Sequence, residues 1–206
     1  MTPGAALDRG LGEMALALPA GARERLLAYV ALLVKWNRTY NLTAIRDPLA
    51  MVGHHLLDSL AVLPHLALGA ERARLADAGS GAGLPGIPIA IARPGWRIAL
   101  AESSQKKCAF LRQATIELRL GNVEVHEGRV ESWQPQPLFE VVISRAFAAL
   151  AGFIVACRHL VAPGGVLAAM RGAAPAALDP GCSLIRLHVP LLKAQRHLVL
   201  CRASSR

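Results

Sequence analysis

A doubly wound α/β fold is predicted, with a mostly parallel sheet behind a helical front part. Three observations predict it. From Leu75 onward, short apolar runs alternate with amphipathic stretches, the pattern of parallel strands joined by crossover helices. A glycine cluster follows the first of those runs, where a strand must turn tightly into a helix. The chain has 206 residues, 53 % of them apolar, enough for one compact core and too many for a disordered chain.

Taken in order, the residues before Ala22 receive no element. Asp8, Arg9 and Glu13 flank a short apolar stretch, Met14 to Leu18, that is too brief and too poorly flanked for an export signal. From Ala22 to Asn37, Leu26, Leu27, Val30, Leu33 and Val34 recur at helical spacing. A second helical piece runs from Pro48 to Leu66, with Met51, Leu56, Leu60 and Leu63 for one face. Gly69 to Arg72 reads as a hinge, dividing the chain into a helical extension, residues 1–68, and a sheet-bearing domain, residues 69–206. Strands are expected at Leu75–Ala78, Arg97–Ala101 (ending at Glu102), Val123–His126, Val141–Ser144 and Val166–Met170. Helices are expected to begin at Ile87 and to cover Lys106–Leu120 and Ala148–Leu160, with Pro163-Gly164-Gly165 as a turn. Leu184–Val189 and His197–Cys201 lack a long helix between them and complete a seven-stranded sheet whose last strand runs antiparallel.

Charge and composition narrow the partners. Lys and Arg number 23 against 14 Asp and Glu, a surplus of 9 that favours a polyanion, either nucleic acid or an anionic membrane surface. Aromatic residues are only 4 % of the chain, which argues against recognition built mainly on stacking platforms. The longest apolar stretches, such as Ala148 to Cys157, fall well short of bilayer thickness, so no membrane span is expected. Cys108, Cys157, Cys182 and Cys201 are scattered, with no C-x-x-C pair and no His at ligand spacing. They read as four reduced, mostly buried thiols of a cytoplasmic protein, with no metal site.

The most informative stretch is Leu75-Ala76-Asp77-Ala78-Gly79-Ser80-Gly81-Ala82-Gly83-Leu84-Pro85-Gly86. Glycines here let backbone approach a ligand without Cβ interference, and the following helix start offers N–H groups and a positive dipole end. An ordinary strand-to-helix turn needs one glycine, whereas this one has four within eight residues. A dinucleotide fingerprint fails because its third glycine position falls on Leu84, and a P-loop fails because Ile87 and Pro88 follow Gly86. Asp77 before the cluster suits a cationic ligand better than a phosphate, and Glu102 at the end of the second strand can take both hydroxyls of a ribose. Together these favour S-adenosylmethionine, which carries a ribose and a sulfonium but no phosphate.

Beyond the glycine loop, Lys35-Trp36-Asn37 with Tyr40-Asn41-Leu42-Thr43, His55-Leu56-Leu57-Asp58-Ser59 and Arg129-Val130-Glu131 stand out. So do Ile143-Ser144-Arg145-Ala146-Phe147 and Arg196-His197-Leu198. In these stretches, which span nearly the whole chain, the sequence resembles the bacterial small-subunit rRNA (guanine-N7) methyltransferase family, also called the glucose-inhibited division protein B family. The resemblance implies a class I S-adenosylmethionine-dependent methyltransferase (Rossmann-like) fold and methylation of guanine 527, in the 530 loop of 16S rRNA. It implies that Asp77, Gly79, Gly81 and Leu84 line the cofactor pocket and that Glu102, Ser103 and Ser104 hold ribose and adenine. Val130 and Glu131 are implied at the adenine edge, and Arg145 between cofactor and substrate. Asn41, His55, Arg129, Arg145, Arg171 and Arg196 are the implied RNA contacts. S-adenosylhomocysteine is the implied product, and the partner is small-subunit rRNA or the ribosomal subunit, met by a monomer. Two departures stand out: Met170-Arg171-Gly172 replaces the family's usual Leu-Lys-Gly, and Glu102 stands where Asp is commoner. Arg and Lys differ in hydrogen-bonding geometry, so the RNA contact at Arg171 is altered.

Guanine N7 presents a lone pair at neutral pH, so its attack on a sulfonium methyl needs positioning rather than a general base. Accordingly no catalytic acid or base is assigned. An Asn/Asp-Pro-Pro-aromatic signature is absent after the fourth strand, and no Pro-Cys pair supplies a thiolate. Arg145, at the carboxyl end of that strand, either donates to guanine O6 or forms a structural ion pair. Lys35, Arg38 and Arg46 are phosphate-contact candidates, as are Arg112, Arg119 and Arg129. Trp36 and Tyr40 are expected to pack rather than stack on bases, and His55 and Asp58 to share a local hydrogen bond that orders the extension. A small-molecule methyltransferase and a nucleic-acid-binding protein with a defunct glycine loop are the competing readings. The positive charge and the motifs in the helical part oppose the first, and intact Gly79, Gly81, Leu84 and Glu102 oppose the second.

Overall fold

The computed structural model describes residues 1–66, 72–145, 147 and 149–203. The expected hinge at Gly69 lies outside them, though Arg72 is described. Seven strands form one sheet: β1 (Arg74–Ala78), β2 (Arg97–Glu102), β3 (Val123–Glu127), β4 (Phe139–Ser144), β5 (Val161–Arg171), β6 (Cys182–Leu187) and β7 (Arg196–Arg202). Their order is β3-β2-β1-β4-β5-β7-β6. The first five pair in parallel, while β7 runs antiparallel to both β5 and β6. The chain reverses its winding direction between β1 and β4, and ligands of such sheets sit outside the carboxyl ends of the strands at that point.

The period-two alternation of a strand sorts its residues into two cores. Leu75, Ile98, Leu100, Val141 and Ile143 face the larger core, which also takes in the N-terminal helices, α5 (Gly86–Ala92) and α6 (Gln105–Glu117). Ala76, Ala78, Ala99, Ala101 and Val142 face the smaller one, beneath α7 (Leu150–Cys157). The helical front part therefore shares apolar contacts directly with the sheet. Its α2 (Ala22–Tyr40) buries Leu26, Tyr29, Val30, Leu32, Leu33 and Asn37.

Several elements depart from expectation. A helix α1 (Pro3–Glu13) precedes Ala22, capped by Thr2 and started by a proline, and buries only Ala6, Leu7 and Gly10. So thin an apolar stripe leaves little periodic signal. The expected helix from Pro48 to Leu66 is broken into α3 (Pro48–Met51), a π-helical stretch Val52–Leu57, α4 (Asp58–Leu60) and a 3₁₀ turn Leu63–His65. Pro163-Gly164-Gly165 lies inside β5 at an irregularity in its pairing with β4, with Gly164 at φ +76°. The expectation of four reduced thiols is corrected too: Cys182 and Cys201 are direct cross-strand neighbours on β6 and β7 and are disulfide-bonded, while Cys108 and Cys157 are free and buried. No helix among the described residues is long and apolar enough to cross a membrane.

Candidate active site

At the carboxyl end of β1 the chain turns through Gly79, Gly81 and Gly83, all with positive φ, before entering α5. The first two glycines and the third do different work. A Cβ on Gly79 or Gly81 would stand in largely open space, so these positions form a bare cradle. A Cβ on Gly83 would run into Ile87 and Leu111, so its bareness serves packing. Ala101 carbonyl oxygen accepts from Gly79 and Ser80 N–H at 2.9 and 3.0 Å, and Tyr29 Oη donates to Ala82 carbonyl at 2.6 Å. The fully buried Tyr29 thus fixes the loop from the helical extension.

Two carboxylates brace this side. Glu102 Oε2 accepts from Gly81 N–H at 2.9 Å and Oε1 from Ser104 N–H at 2.8 Å, leaving lone pairs on both oxygens. Asp77 Oδ2 accepts from Gly86 N–H at 2.8 Å, while its buried Oδ1 has no hydrogen-bond partner. Burial pushes the Asp77 carboxyl up to about 7, against the pull of Gly86 N–H and Arg145. The expectation of free N–H groups at the start of α5 is corrected here. Gly86 donates to Asp77, Leu84 to Ser80 carbonyl and Ile87 to Gly83 carbonyl, so the turn is no phosphate cradle.

On the other side of the switch point between β1 and β4 the side chains are basic. Arg145, just beyond β4, places Nη1 3.2 Å from Asp58 Oδ2 and 2.9 Å from the His54 carbonyl, with Nη2 3.3 Å from His55 Nδ1. Burial and the adjacent guanidinium hold His55 down to about 4, so its ring is neutral. It accepts from Arg145 at Nδ1 and therefore donates through Nε2 to Thr43 Oγ1 at 2.9 Å. Asn37 in turn exchanges hydrogen bonds with Thr43 backbone at 2.9 Å in both directions. Arg196 opens β7, and because that strand is antiparallel its first residue lies at the same end of the sheet. Its Nε is 3.1 Å from Asp58 Oδ1. Arg171 ends β5 beside it and donates to the Phe147 carbonyl at 3.1 Å.

Of the residues singled out in the sequence, Asp77, Gly79, Gly81 and Glu102 meet at one side, with Ser104 as the cap of α6 and Ser103 exposed next to it. Leu84 is buried in the larger core. Gly128 N–H bonds the Glu102 carbonyl at 2.9 Å, bringing the turn with exposed Arg129 and Glu131 and buried Val130 towards the end of β2. Arg145, Arg171 and Arg196 come together at the other side. Asn41 is the exposed left-handed cap of α2, at φ 49°. His55 is 2 % exposed, so the structure makes it a support for Arg145 rather than a surface contact. The expected His55–Asp58 hydrogen bond is likewise replaced, since Arg145 bridges the two. Trp36 packs on Tyr40 and Phe110 at 5.1 and 5.5 Å between centroids, and Arg112 is paired with Glu127 at 2.8 Å. Tyr29 was not identifiable from sequence, because it acts through one long-range contact that leaves no local pattern; Thr43 stood in a stretch already singled out, but its bond to His55 did not show.

The sheet order, with a glycine turn after β1 and an acid ending β2, defines the class I, Rossmann-like methyltransferase fold. The chain is similar in fold to a predicted O-methyltransferase from Agrobacterium tumefaciens (TM-score 0.55, 23 % identity, 73 % of this chain and 80 % of that one). It is similar also to the tRNA (m1A58) methyltransferase TrmI of Aquifex aeolicus (TM-score 0.55, 13 % identity, 73 % and 69 %). A family model described as rRNA small subunit methyltransferase G (GidB) matches residues 22–178. Proteins named ribosomal RNA small subunit methyltransferase G from Burkholderia thailandensis and Burkholderia pseudomallei are each 50 % identical, covering 95 % of this chain and 89 % of theirs. The chain belongs to the rRNA small subunit methyltransferase G family and is a methyltransferase.

Proposed function

We propose that this enzyme transfers the methyl group of S-adenosylmethionine to N7 of guanine 527 in the 530 loop of small-subunit rRNA, working as a cytoplasmic monomer. The observation that carries this reading is that the carboxyl end of the sheet brings an acidic, glycine-lined turn after β1 and a group of arginines after β4, at the end of β5 and at the start of β7 to the same end of the molecule. The acidic side fits the donor. Gly79 and Gly81 leave room that a Cβ would fill, Asp77 Oδ1 is a buried acceptor without a partner, and Glu102 keeps lone pairs for ribose hydroxyls. Phosphate fits poorly there, because the helix-start N–H groups are already engaged. Among the described residues no group of His, Cys, Asp and Glu could hold a metal ion.

When bound, S-adenosylmethionine supplies an electrophilic methyl on a sulfonium. The chain's own residues then orient and shield. Asp77 and Glu102 place negative charge by the cationic donor, and Arg145, held by three acceptors, presents its 27 % exposed side chain to the incoming base. Donation from Arg145 to guanine O6 would leave the N7 lone pair free, and a donor held by Gly79, Gly81, Asp77 and Glu102 would supply the methyl group to it, with the thioether S-adenosylhomocysteine as leaving group. No proton has to leave N7 first, so the reaction requires no general base. We read residues 1–68 as an extension contributing Asn41 and the basic segment to RNA contact, and residues 69–206 as the transferase domain. Arg129 and Arg171 contribute further phosphate contacts, Arg196 lies beside the base, and Val130 and Glu131 border the adenine.

The test is transfer of labelled methyl to naked 16S rRNA and to small subunits, followed by mapping of the modified base. Methyl at N7 of guanine 527 is the expected outcome, and methyl elsewhere or none overturns the reading. Arg145→Ala is expected to lower transfer by about a hundredfold while sparing donor affinity; normal transfer by this variant would remove Arg145 from the mechanism.

A further inference from the structure

Asp58 is 2 % exposed, yet neither of its oxygens faces apolar surroundings alone. Oδ2 takes Arg145 at 3.2 Å and Oδ1 takes Arg196 at 3.1 Å, so one carboxylate joins a residue after β4 to the first residue of β7. A single buried ion pair is a weak source of stability, because desolvation offsets most of its attraction. Two guanidinium groups on one carboxylate also leave a positive charge uncompensated. Arg145 and Arg196 keep 27 % and 22 % of their side-chain surface exposed, so that excess charge is displayed at the carboxyl end of the sheet. Arg196 Nη1 lies about one van der Waals contact from Gly172, at 3.8 Å from the position of a Cβ there, which sets it next to the exit of β5 and Arg171. Without the carboxylate, the two guanidinium groups would repel and swing apart.

We propose that Asp58 is a positioning residue for methyl transfer: it fixes the spacing and direction of Arg145 and Arg196 so that both engage the RNA around the target base together. The carboxylate touches neither donor nor base and acts only through the two arginines. This rests on the rRNA reading above.

The experiment is a mutant cycle on single-turnover methyl transfer to small-subunit rRNA, with calorimetric affinity for S-adenosylhomocysteine measured alongside. Asp58→Asn is expected to lower the transfer rate on bound RNA by about tenfold or more, with KM for RNA moving less than about threefold and product affinity within about twofold of the parent enzyme. Introduced into an Arg145→Gln/Arg196→Gln background, the same change is expected to add less than about twofold, because its targets are gone. Asp58→Glu keeps the charge and displaces it by one methylene; it is expected to fold and to slow transfer in the same direction. Parent-like rates from Asp58→Asn or Asp58→Glu overturn the proposal. So does a loss that persists undiminished without the two arginines, or one matched by loss of product affinity. A parent enzyme that methylates no rRNA removes the functional reading and this proposal together, whereas a fully active parent with an indifferent Asp58 removes only the proposal.

Discussion

On one side of the switch point, Gly79, Ser80 and Gly81 are held by the ends of adjacent strands and by Glu102, all groups of the first βαβ unit. On the other, Arg145 and Arg196 are held by His54, His55 and Asp58, which come from the helical front part. The first side is built by local backbone geometry, the second by side chains that meet only when the whole fold has closed. A backbone-built cradle tolerates little steric change, because its dimensions are those of the chain itself. A side-chain-built clamp tolerates shape changes but depends on charge.

That contrast can be broken from the glycine side first. Gly83→Ala forces a side chain into the left-handed region at φ +87° and against Ile87 and Leu111. It is expected to cost about 3 kcal/mol, read as a lower midpoint in urea together with loss of donor binding; an unchanged midpoint would show that the loop is more pliant than its geometry implies.

A smaller effect concerns Asp77. Its folded carboxyl sits at about 7 against 3.8 for the free group, so the folded chain holds that proton more tightly than the unfolded one. The native state loses stability as pH rises from about 4 to about 7, and the cost is constant above that. A cationic donor beside Oδ1 favours the ionised form, so donor affinity is expected to rise with pH up to about 7, by no more than about tenfold per unit, and then level off. Calorimetric titrations on Asp77→Asn should give a flat profile over that range. A parent-like slope in the variant would assign the titration to another group.

Smallest is Tyr29→Phe, which strips the hydroxyl from the Ala82 carbonyl and leaves a buried acceptor unpaired. About 1–2 kcal/mol of stability is expected to go, with a modest weakening of donor binding. No change in either would mean that the extension does not brace the loop.

The glycine side was legible in the sequence because its chemistry is contiguous: strand, acid, glycines and helix lie within Leu75–Ile91, and Glu102 closes the next strand. Arg145 was legible as a strand-end residue, but its partner was not. Nothing near Asp58 signals that an arginine just beyond β4 and another opening β7 will converge on it, and proximity in sequence suggested His55 instead. The cross-strand bond between Cys182 and Cys201 was missed for a related reason, since it depends on the register of two strands whose ends were placed one or two residues away. The Pro-Gly-Gly segment read as a turn because its composition fits one, whereas pairing with β4 carries it on as an irregular strand.

β7 reaches its place between β5 and β6, both of which precede it along the chain. Within the sheet β6 pairs only with β7, and it is β7 that brings Arg196 beside Asp58. During N-to-C synthesis the donor-side loop can therefore assemble well before the basic clamp. The last strand is in this sense the latch of the molecule: it seals the sheet and completes the arginine cluster in the same movement.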